Sequence, residues 1–164
     1  MATQLKNLSD FSGTTIPSAA PFTFAVIAAE WNTEVTLALY NGAYQALVER
    51  GALPENIQSH WVPGSFELTA AADMVLKATG VDAVICLGCV IQGETRHFDF
   101  ICNAVANGLS NVAVKYTKPV IFGVLTPDNQ QQAIDRAGGK HGNKGVEAAV
   151  TAIKMAALGK TLGI

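Results

Sequence analysis

The sequence predicts an α/β domain in which a parallel sheet lies between layers of helices. Two observations carry this. Short apolar, β-branched runs alternate with longer stretches of helical spacing along most of the chain. One of those runs, Ala83–Ile91 (AVICLGCVI), is almost unbroken in its apolarity, as a strand covered on both faces must be. Strands separated by helices imply right-handed crossovers and parallel pairing.

Taken in order, residues 1–21 are rich in Ser, Thr, Ala and Pro, with Pro17 and Pro21, and predict an arm that is extended or partly disordered on its own. Residues 22–164 then form a single domain. Phe22–Ala29 (FTFAVIAA) reads as the first strand. Asn32 or Thr33 can cap a helix running to about Arg50, where Gly51 stops it and Pro54 lies beyond. Ile57–Val62 is a second strand. Ser65 precedes a helix through about Ala78, ended by Gly80. Ala83–Ile91 is the third strand. Phe98–Lys115 has helical spacing, with Phe98, Ile101, Cys102, Val105, Leu109 and Val112 on one stripe. Pro119 breaks it, and Val120–Leu125 is the fourth strand. Asn129–Ala137 reads as a short helix, Gly138–Gly142 as a loop and Asn143–Leu158 as the last helix.

Composition narrows the function classes. The 164 residues are 49% hydrophobic and only 15% charged, with 11 basic and 13 acidic groups and a formal net charge of −2. Disorder needs the opposite balance. No basic footprint for nucleic acid is visible, and no apolar run is long enough to span a membrane. The first residues carry no signal-peptide pattern, and three cysteines make no disulfide framework, so the expected setting is reducing and cytoplasmic. So few charges cannot solvate a whole monomer surface, which predicts a homo-oligomer.

In open α/β sheets ligands bind at the carboxyl ends of the strands. The segments to inspect are therefore Glu30-Trp31-Asn32, Pro63–Glu67, Gln92–His97 and Thr126-Pro127-Asp128, which should share one edge of the sheet, or two edges brought together by neighbouring subunits. The third combines a strand, Gly93, Glu94-Thr95 and His97 with a helix start, the layout of an anion site. Gly88 and Gly93 bracket four residues as in a P-loop. Glu94 stands where the P-loop lysine must be, so a nucleoside triphosphate is excluded. No GxGxxG follows any strand, and a small phosphorylated molecule remains, against a plain tight turn. His97 is either an ordinary surface or core histidine or a proton shuttle beside that phosphate.

Trp31, Phe66 and Phe122 lie at or near strand ends. They either pack in the core or form a stacking slot for a flat heterocycle. Arg136 suits a phosphate bidentately or makes a surface ion pair. Lys144 follows a Gly-Asn corner and could simply be a solvated helix start. The three histidines lack metal-ligand spacing, so no metal is expected. Cys86 and Cys89, three apart on a strand, point to opposite faces and cannot join; Cys102 lies on the inward stripe of its helix.

These residues resemble the 6,7-dimethyl-8-ribityllumazine synthase family, through AEWN (29–32), VPGSFEL (62–68), VIQGETRHFDF (90–100), PVIFGVLT (119–126), QQAIDRAG (131–138) and GNKGVEAA (142–149), in that order over about residues 22–158. The resemblance implies a flavodoxin-like three-layer fold with a four-stranded parallel sheet, and an N-terminal arm that adds to a neighbouring subunit. It implies condensation of 5-amino-6-(D-ribitylamino)uracil with 3,4-dihydroxy-2-butanone 4-phosphate, no cofactor, and pentamers with sites between neighbours. By motif, Trp31 takes the stacking position and Asn32 lies beside the ligand. Ser65, Phe66 and Glu67 line the ribityl and pyrimidine pocket, and Cys89, Val90 and Ile91 form its floor. Gly93, Glu94 and Thr95 cradle phosphate, and His97 shuttles protons. Phe122 comes from the adjacent subunit, Arg136 pairs with phosphate, and Lys144 reaches a pyrimidine carbonyl.

Trp31 replaces the commoner Phe, so tighter flavin binding is expected; Glu30 and Thr69 stand where Arg and Pro are frequent. Only seven residues separate Arg136 from Lys144. That compact loop resembles members that close into a sixty-subunit icosahedral shell of twelve pentamers. Against the shell, Pro17 and Pro21 remove ladder donors from the arm. A non-catalytic flavin- or lumazine-binding assembly and a generic phosphate-binding domain are the competing functions. The first needs no proton shuttle, and the second does not explain Glu67 or Lys144.

Overall fold

A computed structural model describes residues 7–164. Phe24–Ala29 (β1), Ile57–Val62 (β2), Ala83–Cys89 (β3) and Val120–Leu125 (β4) pair in parallel in the order β2-β1-β3-β4. The helices are Thr33–Glu49 (α1), Leu68–Ala78 (α2), His97–Tyr116 (α3), Gln130–Asp135 (α4) and Lys144–Leu162 (α5). The three-layer α/β architecture is the one expected.

Strand alternation divides the core into two layers. Phe24, Val26, Ala28, Ile85, Leu87 and Cys89 face α1 and α5. Ala25, Ile27, Val84, Cys86 and Val124 face α2 and α3. β1 and β3 are buried at every residue, because both are central strands. Cys86 and Cys89 indeed belong to opposite layers.

Several boundaries differ from expectation. β1 begins at Phe24 rather than Phe22, because Thr23 turns its amide and hydroxyl to the Asp82 carboxylate at 2.7 and 2.9 Å. β3 ends at Cys89 rather than Ile91, although the Val90 amide still donates to the Leu125 carbonyl. A 3-10 turn at Ser65–Glu67 precedes α2. α4 closes at Asp135, and α5 continues to Leu162 before Gly163 adopts a left-handed conformation. The expected loop 138–142 lies within a small antiparallel pair, Ala137–Gly139 (β5) with Gly142–Asn143 (β6). Neither Asn32 nor Thr33 caps α1 with its side chain. Thr33 donates to the Glu30 carbonyl, and Asn32 is used elsewhere.

Residues 7–21 are irregular and lie against their own chain, with the Ser9 hydroxyl on Asn143 and the Ala19 amide on the Arg50 carbonyl. Ala19 and Phe22 are buried. The rest of the expected arm, residues 1–6, lies outside the described residues.

Candidate active site

The parallel sheet brings the carboxyl ends of all four strands to one edge, as the sequence required. Backbone bonds continue the pairing past the strands. The amides of Glu30 and Trp31 donate to the carbonyls of Val62 and Pro63, and the Gln92 amide donates to that of Pro127.

Asn32 locks this edge. Its backbone is left-handed (φ 59°, ψ 47°), a region that asparagine tolerates better than most residues. Its side-chain amide donates to the Cys89 carbonyl at 2.9 Å, tying the end of β1 to the end of β3. Two glycines let the neighbouring turn approach. A β-carbon on Gly88 would stand 2.5 Å from the Ser65 hydroxyl. One on Gly64 would stand 3.0 Å from a Glu67 carboxylate oxygen and 3.7 Å from the Trp31 indole. Ser65 is buried, whereas Trp31 is 74% and Phe66 55% exposed. The core-packing alternative for these two aromatics is therefore wrong. Phe122, on edge strand β4, is also exposed. Cys89 is buried beneath the edge, with Val90 and Ile91 half-buried beside it.

Gly93, Glu94 and Thr95 form an exposed turn, and His97 is the first residue of α3. The His97 amide donates to the Thr95 hydroxyl at 3.4 Å. Glu94, Thr95, Arg96 and His97, all exposed, thus sit at the positive end of a 20-residue helix.

Arg136 and Lys144 gather elsewhere in the chain. The Lys144 amide donates to the Arg136 carbonyl across the β5–β6 pair. Both cations approach Glu147: Arg136 Nη2 at 2.7 Å and Lys144 Nζ at 3.3 Å. Arg136 Nη1 also donates to the His141 carbonyl at 2.7 Å. This cluster packs with α1 and α5, whereas the 93–97 turn opens α3 in the other layer. One chain therefore holds two separate groups of the expected site residues. Glu147, which pairs with both cations, was not singled out by the sequence reading. Its place three residues after Lys144 at a helix start was the available signal.

Burial pushes the Cys89 thiol up to about 11 and the Cys86 thiol higher still, so neither is a nucleophile at neutral pH. The Lys140 ammonium and the Gln131 amide hold the Asp135 carboxyl below the usual carboxylate range. Among the described residues, no three His, Cys, Asp or Glu side chains are grouped as metal ligands. No helix among them is long and apolar enough to cross a membrane.

Fold and site together define a three-layer α/β domain with exposed aromatics and a helix N-terminus at its strand ends. Residues 21–160 match the family model described as 6,7-dimethyl-8-ribityllumazine synthase. The chain is 59% identical to the 6,7-dimethyl-8-ribityllumazine synthase of Cytophaga hutchinsonii, over 96% of this chain and 98% of that one. It is 53% identical to the Flavobacterium johnsoniae protein of the same name, over 95% and 82% of the two chains. For the Parabacteroides distasonis protein the identity is 48%, over 94% and 97%. The chain belongs to the 6,7-dimethyl-8-ribityllumazine synthase family.

Proposed function

We propose that this protein condenses 5-amino-6-(D-ribitylamino)uracil with 3,4-dihydroxy-2-butanone 4-phosphate, at the strand-end edge. The products are 6,7-dimethyl-8-ribityllumazine, inorganic phosphate and two waters, a step of riboflavin biosynthesis. The observation that carries this reading is family membership over nearly the whole chain, joined to the grouping of Trp31, Gly64, Ser65 and Glu67 around one rim.

In this reading the exposed indole of Trp31 stacks on the pyrimidine. Asn32 lies beside the ligand. Ser65, Phe66 and Glu67 line the pyrimidine and ribityl pocket through backbone groups and the carboxylate, over the floor of Cys89, Val90 and Ile91. Gly93, Glu94 and Thr95 cradle the phosphate at the start of α3. The amine attacks the ketone and water leaves as the imine forms. Phosphate departs by β-elimination, the enol isomerises, and ring closure expels the second water. These steps need proton transfers, and His97 at the phosphate turn supplies them. Holding two reactants in one slot supplies much of the remaining acceleration.

Arg136 pairs with the phosphate and Lys144 reaches a pyrimidine carbonyl. The separation of these two from the 93–97 turn within one chain supports a site completed by a neighbour, which also contributes Phe122. The family resemblance implies that these neighbours form pentamers, and the compact 137–143 connection resembles members that assemble twelve of them in a shell. Residues 22–164 act as the catalytic domain and 1–21 as its N-terminal arm. The low charge suits such packing, and the protein works in the cytoplasm.

The test is to mix both substrates with pure protein and follow lumazine fluorescence. Product formation at enzymatic rates is expected; binding of the pyrimidine without turnover would refute the reading. Light scattering that finds pentamer mass alone would refute the shell.

A further inference from the structure

We propose that Glu147 is a positioning residue: one carboxylate that yokes Arg136 and Lys144, so that the phosphate contact and the pyrimidine contact are set together. The inference rests on the roles given to those two cations above, and extends them to the carboxylate that lies between the two.

The geometry is specific. Glu147 lies in the first turn of α5, where the helix dipole favours a carboxylate. That alone would be a structural role. Its two oxygens, however, serve two different elements. Oε2 faces Lys144 Nζ at 3.3 Å, one turn back on the same helix. Oε1 faces Arg136 Nη2 at 2.7 Å, from the end of α4. Among the described ion pairs, Arg136–Glu147 is the most enclosed, with side chains 20% and 16% exposed.

The Arg136 contact is a charge contact without a directed hydrogen bond, since Glu147 Oε1 is buried and no N–H is aimed at it. The carboxylate thus holds the guanidinium in place by charge. Arginine's fork needs such placement to bind phosphate through two bonds. The His141 carbonyl fixes the other end of the guanidinium at 2.7 Å. The backbone bond from Lys144 to the Arg136 carbonyl keeps the two residues in register. Neutralising Glu147 would leave two cations side by side, repelling each other and without their common anchor.

Two physical effects compete in the test. Removing the negative charge strengthens the local positive field, which by itself would tighten phosphate. Removing the anchor disorders both cations, which loosens both substrates. Steady-state kinetics of purified Glu147→Gln, varying each substrate in turn, separates them. The yoke predicts that KM rises about tenfold for both substrates, with kcat changed far less, the pattern for lost binding common to ground and transition states. Glu147→Asp, one methylene shorter, cannot span both cations and should raise at least one of the two KM values. Two unchanged KM values, a tighter phosphate substrate, or a loss confined to kcat would overturn the inference. If Glu147→Gln does not fold, the aspartate variant decides by the same criterion.

Arg136→Ala and Lys144→Ala are run alongside. If these leave both KM values unchanged, the assignment of the cations is wrong. If they raise KM and the Glu147 variants do not, only the yoke is wrong.

Discussion

Asn32 carries two loads that substitution can separate. Its backbone sits at φ 59° and its side-chain amide holds the Cys89 carbonyl at 2.9 Å. Alanine loses both advantages. Placing an ordinary L-residue in the left-handed region costs about 1 kcal/mol. Leaving the Cys89 carbonyl without this donor costs about 1–2 kcal/mol, toward the lower end because Asn32 is only half-buried and water can reach the rim. Asn32→Ala should therefore lose about 2–3 kcal/mol, and Asn32→Gly, which is free of the backbone cost, about 1–2 kcal/mol. Urea denaturation of wild type and both variants at one fixed protein concentration measures this, since subunit association shifts apparent stability. The pair of variants is the control. Equal losses for alanine and glycine would show that the left-handed backbone is not the cost. No loss for glycine would show that the tie between β1 and β3 carries no weight.

His97→Ala should cut kcat by roughly 10²-fold without abolishing turnover, the usual scale for one proton-transfer group; wild-type rates at saturating substrates would remove the shuttle role. Arg136→Ala should raise KM for the phosphorylated substrate roughly tenfold to a hundredfold, the scale of a charge-assisted bond; an unchanged KM in initial-rate assays refutes the contact. Gly88→Ala drives a methyl toward the Ser65 hydroxyl and should destabilise the fold by about 1–3 kcal/mol, read by thermal melting. Cys86 and Cys89 should resist alkylation at pH 8 in the native protein, by mass spectrometry, with Cys102 reacting first, because it is the least enclosed of the three. Their raised folded pKa values also have a sign. The unfolded chain ionises first, so stability falls as pH climbs above the ordinary thiol range.

The fold was legible where a segment is dictated by its own residues. β3 announced itself because a central strand covered on both faces must be apolar throughout, and β4 because Pro119 marks its start. The 3-10 turn at Ser65–Glu67 and the β5–β6 pair were not legible, since elements of two or three residues carry no period. The site divided in the same way. The anion turn, the shuttle histidine and the strand-end aromatics could be proposed from local chemistry. Glu67 could not, because its meaning depends on Gly64 and Trp31 standing beside it in space. Asn32 does stand at the N-cap position of α1, where its carbonyl accepts from Val35 and Thr36, but the use of its side chain was not legible, because the Cys89 carbonyl that takes it lies 57 positions away.

That tie is one of several that brace the strand-end edge. Three devices fix it, and each spans elements distant in sequence. Asn32 joins β1 to β3. Ser65 seats its turn against the bare backbone of Gly88 on β3. The amides of Glu30 and Trp31 hold the segment after β2. A reaction made of imine formation, elimination and ring closure places modest demands on any single group. It depends on keeping an amine and a ketone within reach through several proton transfers, for which a fixed floor is worth more than a strong acid or base. The histidine lies on a separate exposed turn and the cations in the other layer. Damage to the floor should therefore reduce both substrate affinities and turnover together. Damage to His97 should reduce turnover alone, and that difference can be measured.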